Sequence, residues 1–126
     1  MFVDCQTNLY VADMQRALGF YDGLLGFTPF YRFPHTGDPQ HVELRLGASV
    51  LALTVAEGLR SHRLPPATPG EPFELVVQAT DVKAAVEHLR AGGTPVMLEP
   101  VITAAGNWVA YVRDPDGNRV QLYSPA

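Results

Sequence analysis

The sequence predicts an α+β fold in which a βαβββ module occurs twice in tandem. The first observation is internal similarity, since residues 12–18 resemble 80–86 and, soon afterwards, 26–30 resemble 92–96. The second is periodicity, because each half combines one amphipathic helical pattern with several alternating strand patterns. We therefore expect a single domain over 1–126, with module one at about 1–56, a Pro-rich connection at about 57–71 and module two at about 72–126.

Each predicted element has its own local signals. Apolar residues at helical spacing run from Met14 to Leu25, with Asp13 as the cap and Gly26 as the stop. The second helix has Thr80 or Asp81 as its cap and Gly92-Gly93 as its stop. Alternating residues at 3–11 and 73–79 predict a strand before each helix, with Cys5 and Phe73 facing the core. Further strands are predicted at 30–33, 41–46 and 49–55, and at 96–103, 108–113 and 119–123.

Two turns fix the predicted registers of the hairpins. A two-residue loop at Gly47 and Ala48 pairs Leu44 with Leu51 on the helix side, and pairs residue 43 with 52 and 41 with 54 on the other side. The turn at 114–118 requires a positive φ at Gly117 and pairs residue 111 with 121. Alternation from Tyr111 places Trp108 on the helix side, whereas a bulge at the start of that strand would turn it to the opposite face.

The strand faces that point away from the helices are mainly polar or aromatic. In isolation this pattern is also typical of a sheet surface that meets water. Two curved sheets from a repeated unit can instead close around a concavity, and concave surfaces with mixed aromatic and polar groups bind small molecules. We therefore expect a ligand site on this face, with Tyr31 and Phe33 leading into a loop at 34–40 that overhangs it.

Composition excludes several classes of partner. Nine Lys and Arg against thirteen Asp and Glu give a formal charge of −4, which is the wrong sign for a nucleic-acid binder. No apolar run approaches the roughly 20 residues of a membrane span, so no membrane partner is expected. One cysteine and no secretory signal pattern indicate a cytoplasmic protein.

At this point the chain resembles the vicinal oxygen chelate superfamily, which includes glyoxalases, bleomycin-resistance proteins and extradiol dioxygenases. The resemblance rests on residues 11–21 with 25–27, on Thr80-Asp81-Val82, and on the segment from Asp114 to Tyr123. It implies paired modules that form a U-shaped cleft-containing sheet with helices on the outer face. It also implies that the cleft is commonly completed in a homodimer.

The resemblance also locates the metal ligands of metal-dependent relatives. Matched by motif, the four ligand positions of the family are occupied in this chain by Gln6, Ala52, Glu74 and Gln121. Alanine has no donor atom, and one carboxylate with two amides is a poor set for nickel, zinc or iron. A relocated site of His41, Glu43 and Glu74 is geometrically conceivable, because residue 43 lies across from residue 52.

Catalysis without a metal has one candidate, Glu74, whose carboxylate could act as a base in a cleft or could bind a cationic or hydrogen-bonding ligand. The preferred hypothesis is a metal-free binding protein that sequesters an aromatic or hydrophobic, antibiotic-like ligand in a dimer cleft, as bleomycin-type resistance proteins do. No catalytic residue, metal ligand or cofactor is assigned. The predicted ligand-binding residues are Gln6, Asn8, Tyr10, Tyr31, Phe33, His41, Glu43, Glu74, Trp108, Tyr111 and Gln121.

Two alternatives remain open from the sequence. One is a glyoxalase-like or related lyase, isomerase or dioxygenase that uses Glu74 as a base or the relocated site of His41, Glu43 and Glu74. The other is a non-catalytic partner domain in which the cleft has no ligand. Saturable binding of a small molecule separates the first two hypotheses from the third.

Overall fold

A computed structural model of the protein describes residues 1, 3–57, 71 and 73–125. They belong to two compact units, Met1–Thr68 and Pro69–Ala126. Each unit contains one helical segment and one four-stranded sheet, which confirms the predicted α+β repeat. The predicted connection at about 57–71 lies almost entirely outside the described residues, and a single domain over 1–126 stays a prediction.

The order of elements is βαβββ in both units. The first unit contains β1 (Thr7–Val11), α1 (Met14–Leu18), β2 (Thr28–Phe33), β3 (His41–Leu46) and β4 (Ser49–Val55). The second contains β5 (Leu75–Gln78), α2 (Val82–Ala91), β6 (Val96–Ile102), β7 (Trp108–Arg113) and β8 (Arg119–Ser124). Within the described residues, no helix has the length and apolar character needed to cross a membrane.

The two sheets have the same topology. The first sheet has strand order β1-β4-β3-β2 and the second has β5-β8-β7-β6. In each sheet the first pair of strands is parallel and the other pairs are antiparallel. A parallel pair needs a long crossover, and the helix with the next two strands provides it in each unit.

The predicted hairpin registers are confirmed. Leu44 pairs with Leu51 and Glu43 with Ala52 in the first sheet. In the second sheet Tyr111 pairs with Gln121, and Val112 with Val120. The apolar members of these ladders form the core with the helices: Val42, Leu44, Leu51, Leu53, Ala110, Val112, Val120 and Leu122 are all buried.

The turn between β7 and β8 has hydrogen bonds that explain why the sequence at 114–118 fixes the pairing of these two strands. Asp114 is buried, and its carboxylate accepts hydrogen bonds from the backbone N–H groups of Asp116 and Asn118 at 2.9 and 2.7 Å. Gly117 has φ +87°, as the turn required. The side chain of Asp114 therefore closes the hairpin from inside.

The first helical segment differs from the expected continuous α-helix. It begins at Met14 after the Asp13 cap, whose carboxylate accepts from the Arg16 N–H at 3.0 Å, but Gly19–Leu24 forms a π-helical turn. The wider turn lets two consecutive side chains, Phe20 and Tyr21, both enter the core with ring centroids 4.9 Å apart. Phe27 is buried with these two rings.

Both initial strands are shorter than predicted, and two residues expected in the core are exposed. Cys5 and Phe73 lie outside the strands, and Phe73 is 88% exposed. Counting back along the two parallel ladders puts Phe73 opposite Asn118 and Val3 opposite Gly47, both of which lie in turns. The core assignment of Cys5 and Phe73 is therefore wrong. Phe73 has no partner strand, because β8 begins at Arg119, whereas Cys5 lies outside β1 although the position opposite it, Ser49, is the first residue of β4.

Candidate functional site

The face of the first sheet opposite the helix, termed the first polar face, carries most of the residues predicted for this half. β1 places Asn8 and Tyr10 beside Ala52 and Thr54 of β4. β2 and β3 add Tyr31 opposite Glu43 and Phe33 opposite His41. The register therefore brings six predicted ligand-binding residues to one face: Asn8, Tyr10, Tyr31, Phe33, His41 and Glu43.

Four side chains on this face form a continuous chain of hydrogen bonds. His41 Nε2 lies 2.8 Å from a carboxylate oxygen of Glu43, and its Nδ1 lies 2.9 Å from the Thr54 hydroxyl. That hydroxyl lies 2.8 Å from Asn8 Oδ1. His41 and Glu43 are about three-quarters buried, with side-chain exposures of 26% and 23%. Both ring nitrogens are thus engaged, which fixes the orientation of the imidazole.

The hydrogen atoms of these four hydrogen-bonded side chains can be placed in two ways. When Thr54 donates to Asn8, its oxygen accepts from His41 Nδ1–H, and the Nε2–H faces the Glu43 carboxylate, so the imidazole is a cation. When the Asn8 amide is turned to donate to Thr54, the hydroxyl donates to Nδ1 and the imidazole is neutral. The four side chains can therefore hold either charge state of His41 without losing a hydrogen bond.

Aromatic rings surround the outer end of this network. Tyr31 lies edge-to-face with His41 and with His35, at centroid distances of 6.1 and 6.0 Å. Phe33 contacts His35 at 6.0 Å. Tyr31 and Phe33 are 42% and 56% exposed, so their rings are available to a flat ligand.

A groove of ≈ 670 Å³ in this unit is lined by Gln15, Leu18, Arg32 and Val42, and also by Tyr31 and His35. Neither His41 nor Glu43 belongs to its lining. Volume alone does not identify the chemistry, and the hydrogen-bonded face is the stronger candidate site.

The corresponding face of the second sheet, the second polar face, is built around Tyr111 and Gln121. They pair across β7 and β8, and the Gln121 amide donates a hydrogen bond to the Tyr111 hydroxyl oxygen. Both residues are partly buried. Each was predicted as a ligand contact, and the structure brings the two together within this unit.

At the turn end of this face, a carboxylate bridges two arginines. Arg113 pairs with Arg119 across the hairpin. Arg113 Nη1 lies 2.6 Å from one oxygen of Glu71, and Arg119 Nη2 lies 2.7 Å from the other. The hydrogen bond from Arg113 and the positive charge of Arg119 hold the pKa of Glu71 below its ordinary value of 4.5.

The remaining predicted site residues lie elsewhere. Gln6 is exposed before β1, and Glu74 is exposed before β5, where it lines a pocket of ≈ 210 Å³ with Phe73, Glu71 and Arg119. Trp108 lies on the helix side, where the Lys83 ammonium sits 4.3 Å from its ring centroid. Strict alternation from Tyr111 was therefore the correct prediction for Trp108, which lies away from the second polar face.

The residues at the family's metal positions do not fit a metal ion. Ala52 is fully buried and has no donor, and Gln121, whose amide nitrogen donates to Tyr111, offers only a neutral amide oxygen. Across residues 1, 3–57, 71 and 73–125, no group of three or more His, Cys, Asp or Glu side chains is placed to hold a metal. In the relocated set, His41 and Glu43 are in contact, but the two ring nitrogens of His41 are already bonded.

Four residues of these two clusters were missing from the predicted set. Thr54 was placed on the correct face by the hairpin register, but only its hydrogen bonds show that it joins Asn8 to His41. Arg113 and Arg119 were on the correct face for the same reason. Glu71 had no signal, because it lies in the Pro-rich connection and reaches the arginines only through the fold.

The repeated βαβββ sheets and their polar faces define the class of protein. The model of the Glyoxalase/Bleomycin resistance protein/Dioxygenase superfamily matches residues 5–122, and the chain belongs to that superfamily. No curated protein matches the chain.

Solved structures with this fold come from several bacteria. A glyoxalase/bleomycin resistance protein/dioxygenase family enzyme from Burkholderia phytofirmans is 21% identical, with 94% of each chain covered and a TM-score of 0.80. Lactoylglutathione lyase from Agrobacterium tumefaciens is 23% identical, with 96% and 92% covered and a TM-score of 0.73. TioX from Micromonospora is 18% identical, with 95% and 98% covered and a TM-score of 0.74. At these identities the similarity establishes the fold.

Proposed function

We propose that the protein is a metal-free small-molecule binding protein that sequesters an aromatic or hydrophobic, antibiotic-like ligand and so provides resistance or self-protection. One observation carries the proposal. The metal positions of the superfamily lack a workable donor set at Ala52 and Gln121, while the same sheet faces keep ordered hydrogen-bonding groups and exposed rings. Such a surface suits recognition of a ligand more than activation of one.

The ligand contacts in this proposal divide between the two polar faces. Tyr31 and Phe33 offer exposed rings for stacking, and the network from Asn8 to Glu43 offers fixed donors and acceptors. Tyr111 and Gln121 offer the same combination of ring and amide on the second sheet. We propose further that the site is completed as a cleft in a homodimer and that the protein acts in the cytoplasm, without nucleic acid or membrane.

The test is a binding screen with matched variants. Wild-type protein is titrated calorimetrically with a panel of aromatic antibiotics and aromatic metabolites, in buffer containing EDTA. For any ligand that binds, Tyr111→Phe keeps the ring and Tyr111→Leu removes it. Loss of one aromatic contact of about 0.5–1.5 kcal/mol corresponds to a roughly two- to twelvefold weaker Kd, so Tyr111→Leu weakens binding by about that factor and Tyr111→Phe by less. A panel that yields no saturable binding contradicts the proposal.

A second candidate function is supported by the contact between His41 and Glu43. An imidazole held by a carboxylate on one nitrogen and a hydroxyl on the other resembles the oriented bases of acid–base enzymes. The candidate is a glyoxalase-like or related lyase, isomerase or dioxygenase that uses this pair, with or without Glu74. The solved structure named as a lactoylglutathione lyase makes lyase activity the first reaction to assay.

Two isosteric variants decide between these functions. If the enzyme hypothesis holds, wild-type protein turns over the lyase substrate, and Glu74→Gln or Glu43→Gln abolishes turnover without loss of folding. Unchanged turnover in Glu74→Gln removes Glu74 as the base. Absence of turnover in wild-type protein, together with saturable binding in the screen, leaves sequestration as the function.

A further inference from the structure

Two arginines at the turn end of the second polar face occupy directly opposed positions of an antiparallel ladder. Arg113 and Arg119 are the last pair of β7 and β8 before the turn. Like charges in opposed positions destabilise a sheet unless an anion lies between them. In this structure that anion is Glu71, which lies 42 and 48 residues away along the chain.

The carboxylate of Glu71 bridges the two guanidinium groups. One oxygen accepts from Arg113 and the other from Arg119, at 2.6 and 2.7 Å. Arg113 Nη1 also donates to the carbonyl oxygen of Gly117 at 2.8 Å, which holds that guanidinium in place. Paired arginines with fixed donors are the usual recognition geometry for carboxylate and phosphate groups.

One N–H donor of the arginine pair has no acceptor among the described residues. The Nε–H of Arg119 is shielded from solvent and has no hydrogen-bond partner among the described residues. Arg119 also lines the pocket of ≈ 210 Å³ that it shares with Phe73 and Glu74. The carboxylate of Glu71 therefore satisfies the pair only in part, and a buried unpaired donor favours an additional acceptor.

The bridge is exposed enough to open. The side chains of Glu71, Arg113 and Arg119 are 43%, 36% and 38% exposed. Ion pairs of this exposure contribute little to stability, so an anion from solution can replace Glu71 without unfolding the hairpin. The same repeat position in the first sheet, Arg45, lies over the Phe30 ring at 4.3 Å instead, and has no acidic bridge in the described contacts.

We propose that Arg113 and Arg119 form a binding site for the carboxylate or phosphate group of a small ligand, and that Glu71 occupies this site as an internal stand-in until the ligand displaces it. Tyr111 and Gln121 lie two residues from the arginines on the same face, which is about 6–7 Å along a strand. The ligand class is therefore an aromatic or heteroaromatic acid. The ligand proposed here is an anion, whereas a cationic ligand was considered for Glu74 from the sequence.

The inference deepens the proposed function and rests on it for the identity of the site, but the anion test needs no physiological ligand. The probes are benzoate and its neutral isostere benzamide, titrated into wild-type protein, Glu71→Gln and Glu99→Gln. Glu99 is the matched control, because it also binds an arginine, Arg90, at 2.5 and 2.7 Å in the same unit, but bridges no arginine pair. We expect Glu71→Gln to bind benzoate at least about tenfold more tightly than wild type.

The control variants and the neutral probe show whether the gain in affinity requires the anion and the arginine pair. Glu99→Gln gives no gain for benzoate, and benzamide gains in no variant. Adding Arg119→Gln to Glu71→Gln abolishes the gain, while an unchanged circular dichroism spectrum and melting temperature exclude unfolding. An equal gain for benzamide, or no gain for benzoate in folded Glu71→Gln, overturns the anion site.

The two proposals can fail separately. If neutral aromatic ligands bind in the screen and Glu71→Gln shows no gain for benzoate, only the anion site is wrong. If Glu71→Gln gains affinity for benzoate and no member of the antibiotic and metabolite panel binds, the anion site stands and the sequestering function is wrong.

Discussion

In the first sheet Glu43 faces Ala52 across the ladder, and at the same place in the second sheet Tyr111 faces Gln121. One strand further, Asn8 lies beside Ala52 and Val76 beside Gln121. The backbone registers are the same, yet the first sheet has a chain of four hydrogen-bonded side chains and the second has a tyrosine–glutamine pair next to two arginines.

The helix sides of the same strands have diverged far less. Leu53 and Leu122 occupy matching positions and are both buried, and Asp13 and Asp81 cap the two helices in the same way. Core packing and turn geometry constrain one face of each sheet, because a polar residue there would be buried without a partner. Core packing does not restrict the residues of the polar faces in this way. The chemistry of each module therefore depends on the side chains of its polar face.

The largest expected effect comes from removing the matched core leucines. Leu53→Ala and Leu122→Ala each create a cavity, and each lowers the free energy of unfolding by about 2–5 kcal/mol. Urea denaturation of the two variants beside wild type measures this. A cost below about 1 kcal/mol in either variant would break the equivalence of the two modules.

Removing one hydroxyl from each polar face is expected to lower the free energy of unfolding by a smaller amount, which differs between the two faces. Thr54→Val leaves both His41 Nδ1 and Asn8 without their partner, whereas Tyr111→Phe breaks one bond, to Gln121. We expect losses in the free energy of unfolding of about 1–3 kcal/mol for Thr54→Val and about 0.5–1.5 kcal/mol for Tyr111→Phe. If Tyr111→Phe proves the more destabilising in urea denaturation, the first network is not the better-ordered one.

The helix caps sharpen the comparison between the modules. The carboxylates of Asp13 and Asp81 accept from the N–H groups of Arg16 and Ala84 at 3.0 and 3.1 Å. Replacing either residue with alanine lowers the free energy of unfolding by about 0.5–2 kcal/mol. Thermal melts of Asp13→Ala and Asp81→Ala check this, and Asp38→Ala, which lies outside both helices, provides a control. A melting temperature unchanged in either cap variant contradicts the assigned helix start.

The smallest expected effect is the titration of Glu71, whose bridge has no counterpart among the described contacts of the first sheet. Since Arg113 and Arg119 lower its pKa, its ion pairs are fully formed above the ordinary value of 4.5 and are lost as the pH falls through the lower folded value. Carboxyl carbon shifts followed by NMR report this pKa directly. Arg113→Gln raises it toward 4.5, and an unchanged titration in that variant would show that the bridge does not form in solution.

Much of this architecture was predictable from the sequence, and the reasons are local. Turn residues set the hairpin registers, so the pairing of Glu43 with Ala52 and of Tyr111 with Gln121 followed from counting along the strands. The length of β5 did not follow, because Phe73 continues an apolar alternation that has no partner strand to extend it.

Two features lay beyond sequence reasoning for physical reasons. The π-helical turn depends on how Phe20 and Tyr21 pack together in the core, which no spacing rule contains. The bridge from Glu71 to Arg113 and Arg119 joins residues more than 40 positions apart, and only the folded chain brings them together.

The most direct test of metal-free binding is the metal content of the purified protein. Mass spectrometry follows dialysis against nickel, zinc, manganese and iron(II), and then against metal-free buffer. Because Ala52 supplies no donor and both ring nitrogens of His41 are bonded, the expected content of each metal is far below one equivalent per chain. One equivalent of a single metal that is lost in Glu43→Gln would contradict sequestration without a metal and would support the enzyme hypothesis.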